Sequence, residues 1–90
     1  MRFDFDPDKS RETERKHGVS LEDAQEIFDQ VYLVDQKNDD PEQFRAIGWC
    51  NGHLCSVIFE IRRDSGGEYQ HLVTAWRATK EEEQSYAESV

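Results

Sequence analysis

Five consecutive residues, Lys16-His17-Gly18-Val19-Ser20, end one helix and begin another. Arg15, Lys16 and His17 fall where a helix carries partial negative charge. Gly18 supplies the left-handed backbone that closes it, and Ser20 caps the next. Working back, Asp6 is the N-cap of the first helix and Pro7 lies in its first turn. From Pro7 to about Lys16 almost every residue is polar, so this helix lies on a surface, with Glu12 and Lys16 spaced as an i,i+4 pair. The second helix, about Leu21 to Asp29, puts Leu21, Ala24, Ile27 and Phe28 on one face, which faces a core. Ahead of both, Phe3 and Phe5 alternate with Asp4 and Asp6 as a short extended arm.

The rest of the chain reads as strands and one more helix. Asn51-Gly52 is a two-residue hairpin turn joining Phe44–Cys50 to Leu54–Arg62. Asp64–Gly67 turns into a further strand from about Glu68 to Trp76. Val31–Val34 is a first strand, followed by an acidic, mobile loop from Lys37 to Pro41. Four strands with short connections form an antiparallel meander. Thr79 and Glu82 make a capping box for a short last helix that turns Tyr86 inward. The predicted fold class is α+β, with two N-terminal helices, a four-stranded antiparallel sheet and a C-terminal helix, in one domain spanning 1–90.

Charge narrows the function. The 90 residues are 36% apolar and 34% charged with a net charge of −9, so the molecule as a whole repels nucleic acid and suits a basic protein partner. Its cations nevertheless fall in three groups: Lys9 to Lys16, Arg62 with Arg63, and Arg77 with Lys80. No stretch reaches membrane-spanning length and the start lacks an apolar signal core, which predicts a cytoplasmic protein. Cys50 and Cys55 flank the hairpin turn, with Cys50 facing His53, and read as reduced thiols. With His53 they lack the paired spacings of a zinc site, and no cofactor or metal is expected.

Phe5-Asp6-Pro7 with Lys9, then Lys16-His17-Gly18-Val19-Ser20, Ala24, Phe28-Asp29, Arg45, Ile47-Gly48 and the closing Ala75, Arg77-Ala78-Thr79 resemble the BrnT family of bacterial toxins. The resemblance implies a RelE-like fold, metal-independent RNA endonuclease activity, and neutralisation by a cognate antitoxin of ribbon-helix-helix type. It implies that DNA is reached only through that antitoxin. Two places depart from the family pattern. A Ser-Ala-Arg-Lys-Ala-like segment is here Thr74-Ala75-Trp76-Arg77-Ala78, and a Tyr-Thr-like pair is here Phe59-Glu60.

Metal-free RNA cleavage needs a base for the 2′-hydroxyl, cations on the phosphate and an acid for the departing 5′-oxygen. His17, at a helix C-terminus, fits the acid or simply packs the corner. Arg62 and Arg77 fit the phosphate, since guanidinium meets phosphate oxygens as a fork. Arg77 also sits beside a helix N-terminus. Glu60 shares a strand face with Arg62 and is either the base or an ion-pair partner. Lys16, Trp76 and Lys80 are candidate RNA contacts, Trp76 by stacking and otherwise as core. His53 and His71 read as turn and strand residues. The expectation is that the corner at Gly18 and the junction at Arg77 converge. The alternative function is a toxin-like scaffold, catalytically impaired, acting as a protein-binding or regulatory subunit.

Overall fold

A computed structural model describes residues 1–90. The chain runs β1 (Phe3–Asp4), α1 (Pro7–His17), α2 (Leu21–Ala24), β2 (Leu33–Asp39), β3 (Glu42–Cys50), β4 (His53–Asp64), β5 (Gly67–Arg77) and α3 (Lys80–Ser89). Local chemistry sets the helix ends. Asp6 accepts the Asp8 N–H at 2.9 Å, and Gly18 takes φ +78° to close α1. The hydroxyl of Ser20 accepts from Asp23, and Thr79 with Glu82 forms the reciprocal capping box of α3. The helix expected from Leu21 to Asp29 is one α-helical turn continued by a 3-10 turn, Gln25–Asp29.

The sheet has five strands in the order β1-β5-β4-β3-β2. Strands β2 to β5 form the expected meander. The N-terminal arm adds a fifth strand parallel to β5, pairing Phe3 with Gln70 and Asp4 with His71. The segment read as a mobile loop is largely strand: Asn38 pairs with Gln43 and Asp39 with Glu42. Backbone pairing holds it, with no apolar pattern to announce it. At Asn51-Gly52 both residues take positive φ, the conformation a two-residue hairpin turn requires.

Helices α1 and α2 cover one sheet face. Val19, Leu21, Ala24 and Ile27 pack there against Ala46, Cys50, Cys55, Val57, Phe59, Leu72 and Ala75. Ser56, Ile58, Glu60 and Arg62 of β4 therefore point to the other face, where α3 lies. The helix α3 touches that face at Trp76 and Arg45, and its Tyr86 hydroxyl donates to the Val31 carbonyl ahead of β2. The end bearing Glu60 and Arg62 lies outside those contacts.

Strand β5 carries one extra residue. Ile58 pairs with Thr74 but Phe59 pairs with Leu72, leaving Val73 as a bulge. Simple alternation put Trp76, Thr74 and Leu72 on one face; the bulge sends Leu72 to the core instead. It also brings His71 and Tyr69 onto the face of Trp76.

Candidate active site on the open sheet face

A row of polar side chains crosses four strands on the uncovered part of the sheet: Gln43 of β3, Glu60 of β4, His71 of β5 and Asp4 of β1. Gln43 donates to Glu60 Oε2 at 2.8 Å. Glu60 and His71 are direct register partners. Nδ1 of His71 is 2.9 Å from Asp4 Oδ2, with the carboxylate accepting. One step along β4, Arg62 donates to Glu60 Oε1 at 2.7 and 3.0 Å and stands opposite Tyr69. The Gln43 amide and then the Arg62 guanidinium hold the Glu60 carboxyl below the usual carboxylate range. Glu60 in turn raises Arg62. The result is an ionised carboxylate 15% exposed beside an imidazole 22% exposed, flanked by a guanidinium. Those three groups can accept a proton, donate one and neutralise an anion.

A second group of cations forms at the other end, on the helix-covered side. A β-carbon at Gly18 would stand 3.3 Å from Nε of Arg77. The corner and the β5–α3 junction thus meet. Lys16 there is held by Glu12 at 3.1 Å, which lowers the Glu12 carboxyl. His17, Arg77 and Lys80 are exposed, and none of them pairs with a carboxylate.

The sequence candidates therefore separate. The corner of Lys16, His17 and Gly18 meets Arg77, with Lys80 three residues on in the first turn of α3, while Glu60 and Arg62 lie on the opposite face from Arg77. Arg77 pairs with Cys55 across β4 and β5, seven residues before Arg62, roughly 23 Å of strand at ~3.3 Å per residue. Trp76 is elsewhere again, half-buried under the first turn of α3, its indole N–H donating to Glu82 Oε1 at 3.0 Å. His71 was not singled out by the sequence because the Val73 bulge places it. The signal was present in Leu72-Val73, two adjacent apolar residues that break the alternation.

The largest concavity, about 370 Å3, lies between β2 and α3 and is lined by Lys37, Arg45, Trp76 and Glu81 among others. It is a less suitable reaction site. Its Arg45 is already committed to Asp35 and, at 3.1 Å, to Glu82. Burial favours a neutral Glu82, but the Thr79 N–H, the Trp76 indole and Arg45 outweigh it and hold the carboxyl low. This network fastens α3 to the sheet. On the core side Cys50 donates to the Asp23 carbonyl at 3.2 Å, and the neighbouring Cys55 sulfur together with burial pushes the Cys50 thiol up. Both cysteines are free and buried, and no three His, Cys, Asp or Glu side chains are grouped as a ligand set.

A mixed sheet with α1 and α2 on one face and α3 over part of the other gives the molecule the α+β architecture of a RelE-like fold. Residues 5–82 match a family described as "Ribonuclease toxin, BrnT, of type II toxin-antitoxin system". With that match covering most of its length, the chain belongs to the BrnT toxin family, whose members act in toxin-antitoxin systems with a cognate antitoxin. No curated protein matches it. No helix is long and apolar enough to cross a membrane.

Proposed function

We propose that the protein is an RNA endonuclease whose chemistry runs on the open sheet face. Glu60 takes the 2′-hydroxyl proton as the 2′-oxygen attacks phosphorus. His71 donates a proton to the 5′-oxygen as its bond to phosphorus breaks, and Arg62 neutralises the pentacoordinate phosphate. One end is a 2′,3′-cyclic phosphate and the other a 5′-hydroxyl. Glu60 has gained a proton and His71 lost one, and exchange with water restores both. The observation that carries this reading is the direct cross-strand pairing of Glu60 with His71, with Arg62 hydrogen-bonded to Glu60.

His17, Lys16, Arg77 and Lys80 serve in this reading as backbone contacts, away from the bond that breaks. A local basic end lets an acidic protein hold RNA. The acidic remainder suits an antitoxin with a basic surface, of ribbon-helix-helix type, that inhibits by covering the open face and reaches DNA on the toxin's behalf.

The test is cleavage of a short RNA oligonucleotide by purified, antitoxin-free protein in excess chelator. Glu60→Gln and His71→Asn should each lower kcat by ~10²–10⁴-fold while retaining the native circular dichroism. A native protein that leaves RNA intact and does not arrest growth when expressed would instead be the impaired, partner-binding scaffold.

A further inference from the structure

We propose that Asp4 is a positioning residue for His71, which makes the two-residue strand β1 part of the catalytic apparatus. This rests on the open-face reading above and adds a residue to it.

A two-residue edge strand would ordinarily be a loose attachment, but this one is fixed at several points. The Gln70 N–H donates to the Arg2 carbonyl at 2.9 Å. The Arg2 guanidinium donates to Asp64 at 2.7 and 3.1 Å and to the Gly67 carbonyl at 2.9 Å. It also lies 4.9 Å from the centroid of the Tyr69 ring. Phe3 points the other way and meets the Phe28 ring at 5.2 Å between centroids, against the core. Asp4, next along the strand, is thus presented to β5 in a defined place.

What Asp4 does there follows from hydrogen-bond chemistry. An ionised carboxylate only accepts, so at 2.9 Å it selects the imidazole form with the proton on Nδ1 and fixes the ring plane. The remaining nitrogen, Nε2, is the one left for proton exchange. The charged and titratable groups around His71 are Asp4 from β1, Glu60 and Arg62 from β4, and Tyr69 on its own strand. Asp4 is the one hydrogen-bonded to the ring. An asparagine there can present an N–H to Nδ1 and reverse the preference.

The experiment combines RNA oligonucleotide cleavage with side-chain nitrogen NMR of His71, in the full chain carrying Asp4→Asn or Asp4→Glu. Asp4→Asn should lower kcat about tenfold or more, short of the full contribution of a general acid. KM should stay within about twofold, since Asp4 acts on the chemical step through His71. The NMR should report a change from the Nδ1–H toward the Nε2–H tautomer. Asp4→Glu should restore part of the rate. Cleavage that depends on His71 but keeps its rate in Asp4→Asn, with the tautomer of His71 unchanged, overturns this inference alone. Absence of cleavage by the native chain overturns the open-face reading and this inference with it.

Discussion

Glu60 and His71 face each other across β4 and β5 because of one residue that belongs to neither position, Val73. Downstream of the bulge, Ala75 and Arg77 share the helix side, with Thr74 and Trp76 opposite. Upstream of it, the order is restored in the other phase, with Leu72 in the core and His71 and Tyr69 on the open face. The bulge thus lets one strand serve the α3 anchor at Trp76 and the polar row at His71 from the same side. Bulges beside functional sites commonly re-aim side chains in this way.

Deleting Val73 should therefore be tolerated. The shortened strand keeps Phe59 opposite Leu72 and Ile58 opposite Thr74, now as consecutive pairs of an unbroken ladder, so Leu72 stays in the core and His71 stays on the open face. Both the deletion variant and Val73→Ala should keep a cooperative thermal transition, and loss of that transition in the deletion variant alone would show that the local twist of the bulge, and not the alternation it resets, holds the strand.

Gly18→Ala tests the corner. Its φ of +78° costs an L-residue ~1–2 kcal/mol, and the new methyl would press on Arg77 at 3.3 Å. For a chain of this size the melting temperature should fall by about 4–8 °C per kcal/mol. Gly18→Asn should fall less, because asparagine tolerates the left-handed region better.

What the sequence disclosed and what it hid divide along the range of the interactions. Asp6, Gly18, Ser20 and Thr79 mark helix ends through bonds to residues two to four positions away. Asn51-Gly52 marks a turn through its own backbone preference. Each was legible because the determining atoms are neighbours in the chain. The shared face of Glu60 and Arg62 was legible too, since it needs only alternation within one strand. The parallel pairing of β1 with β5 was not, because Asp4 finds His71 across 67 residues and nothing local specifies the partner. The strand from Lys37 to Asp39 was hidden by its polarity, and His71 by a bulge that resets the alternation.

Glu82 gives a prediction with a defined pH dependence. It accepts from the Thr79 N–H at 2.8 Å and the Trp76 indole at 3.0 Å and pairs with Arg45 at 3.1 Å, while only 6% exposed. Its folded carboxyl titrates below the reference value of 4.5. Its contribution is therefore complete above about pH 4.5 and is lost as pH falls through the lower folded value. Glu82→Ala should cost ~2–4 kcal/mol at neutral pH, since a cap and a buried ion-pair partner go together while Asp35 still holds Arg45. In urea unfolding, the stability gap between the native chain and Glu82→Gln should narrow as pH drops from 5 to 3.

Arg62 and Arg77 separate the two cation groups by kinetics. Arg62 donates to Glu60 within the proposed site, so Arg62→Ala should lower kcat by roughly 10²-fold, the scale of losing one transition-state donor. It also removes a group that holds the Glu60 carboxyl down, and the acid limb of the pH–rate profile should move to higher pH. Arg77 sits at the opposite end beside Gly18, where it meets the RNA backbone in this reading. Arg77→Ala should raise KM with kcat nearly unchanged. It should also flatten the salt dependence of single-strand binding by ~0.7 for each phosphate that Arg77 neutralises. The converse pattern, with kcat following Arg77 and KM following Arg62, would move the chemistry to the corner.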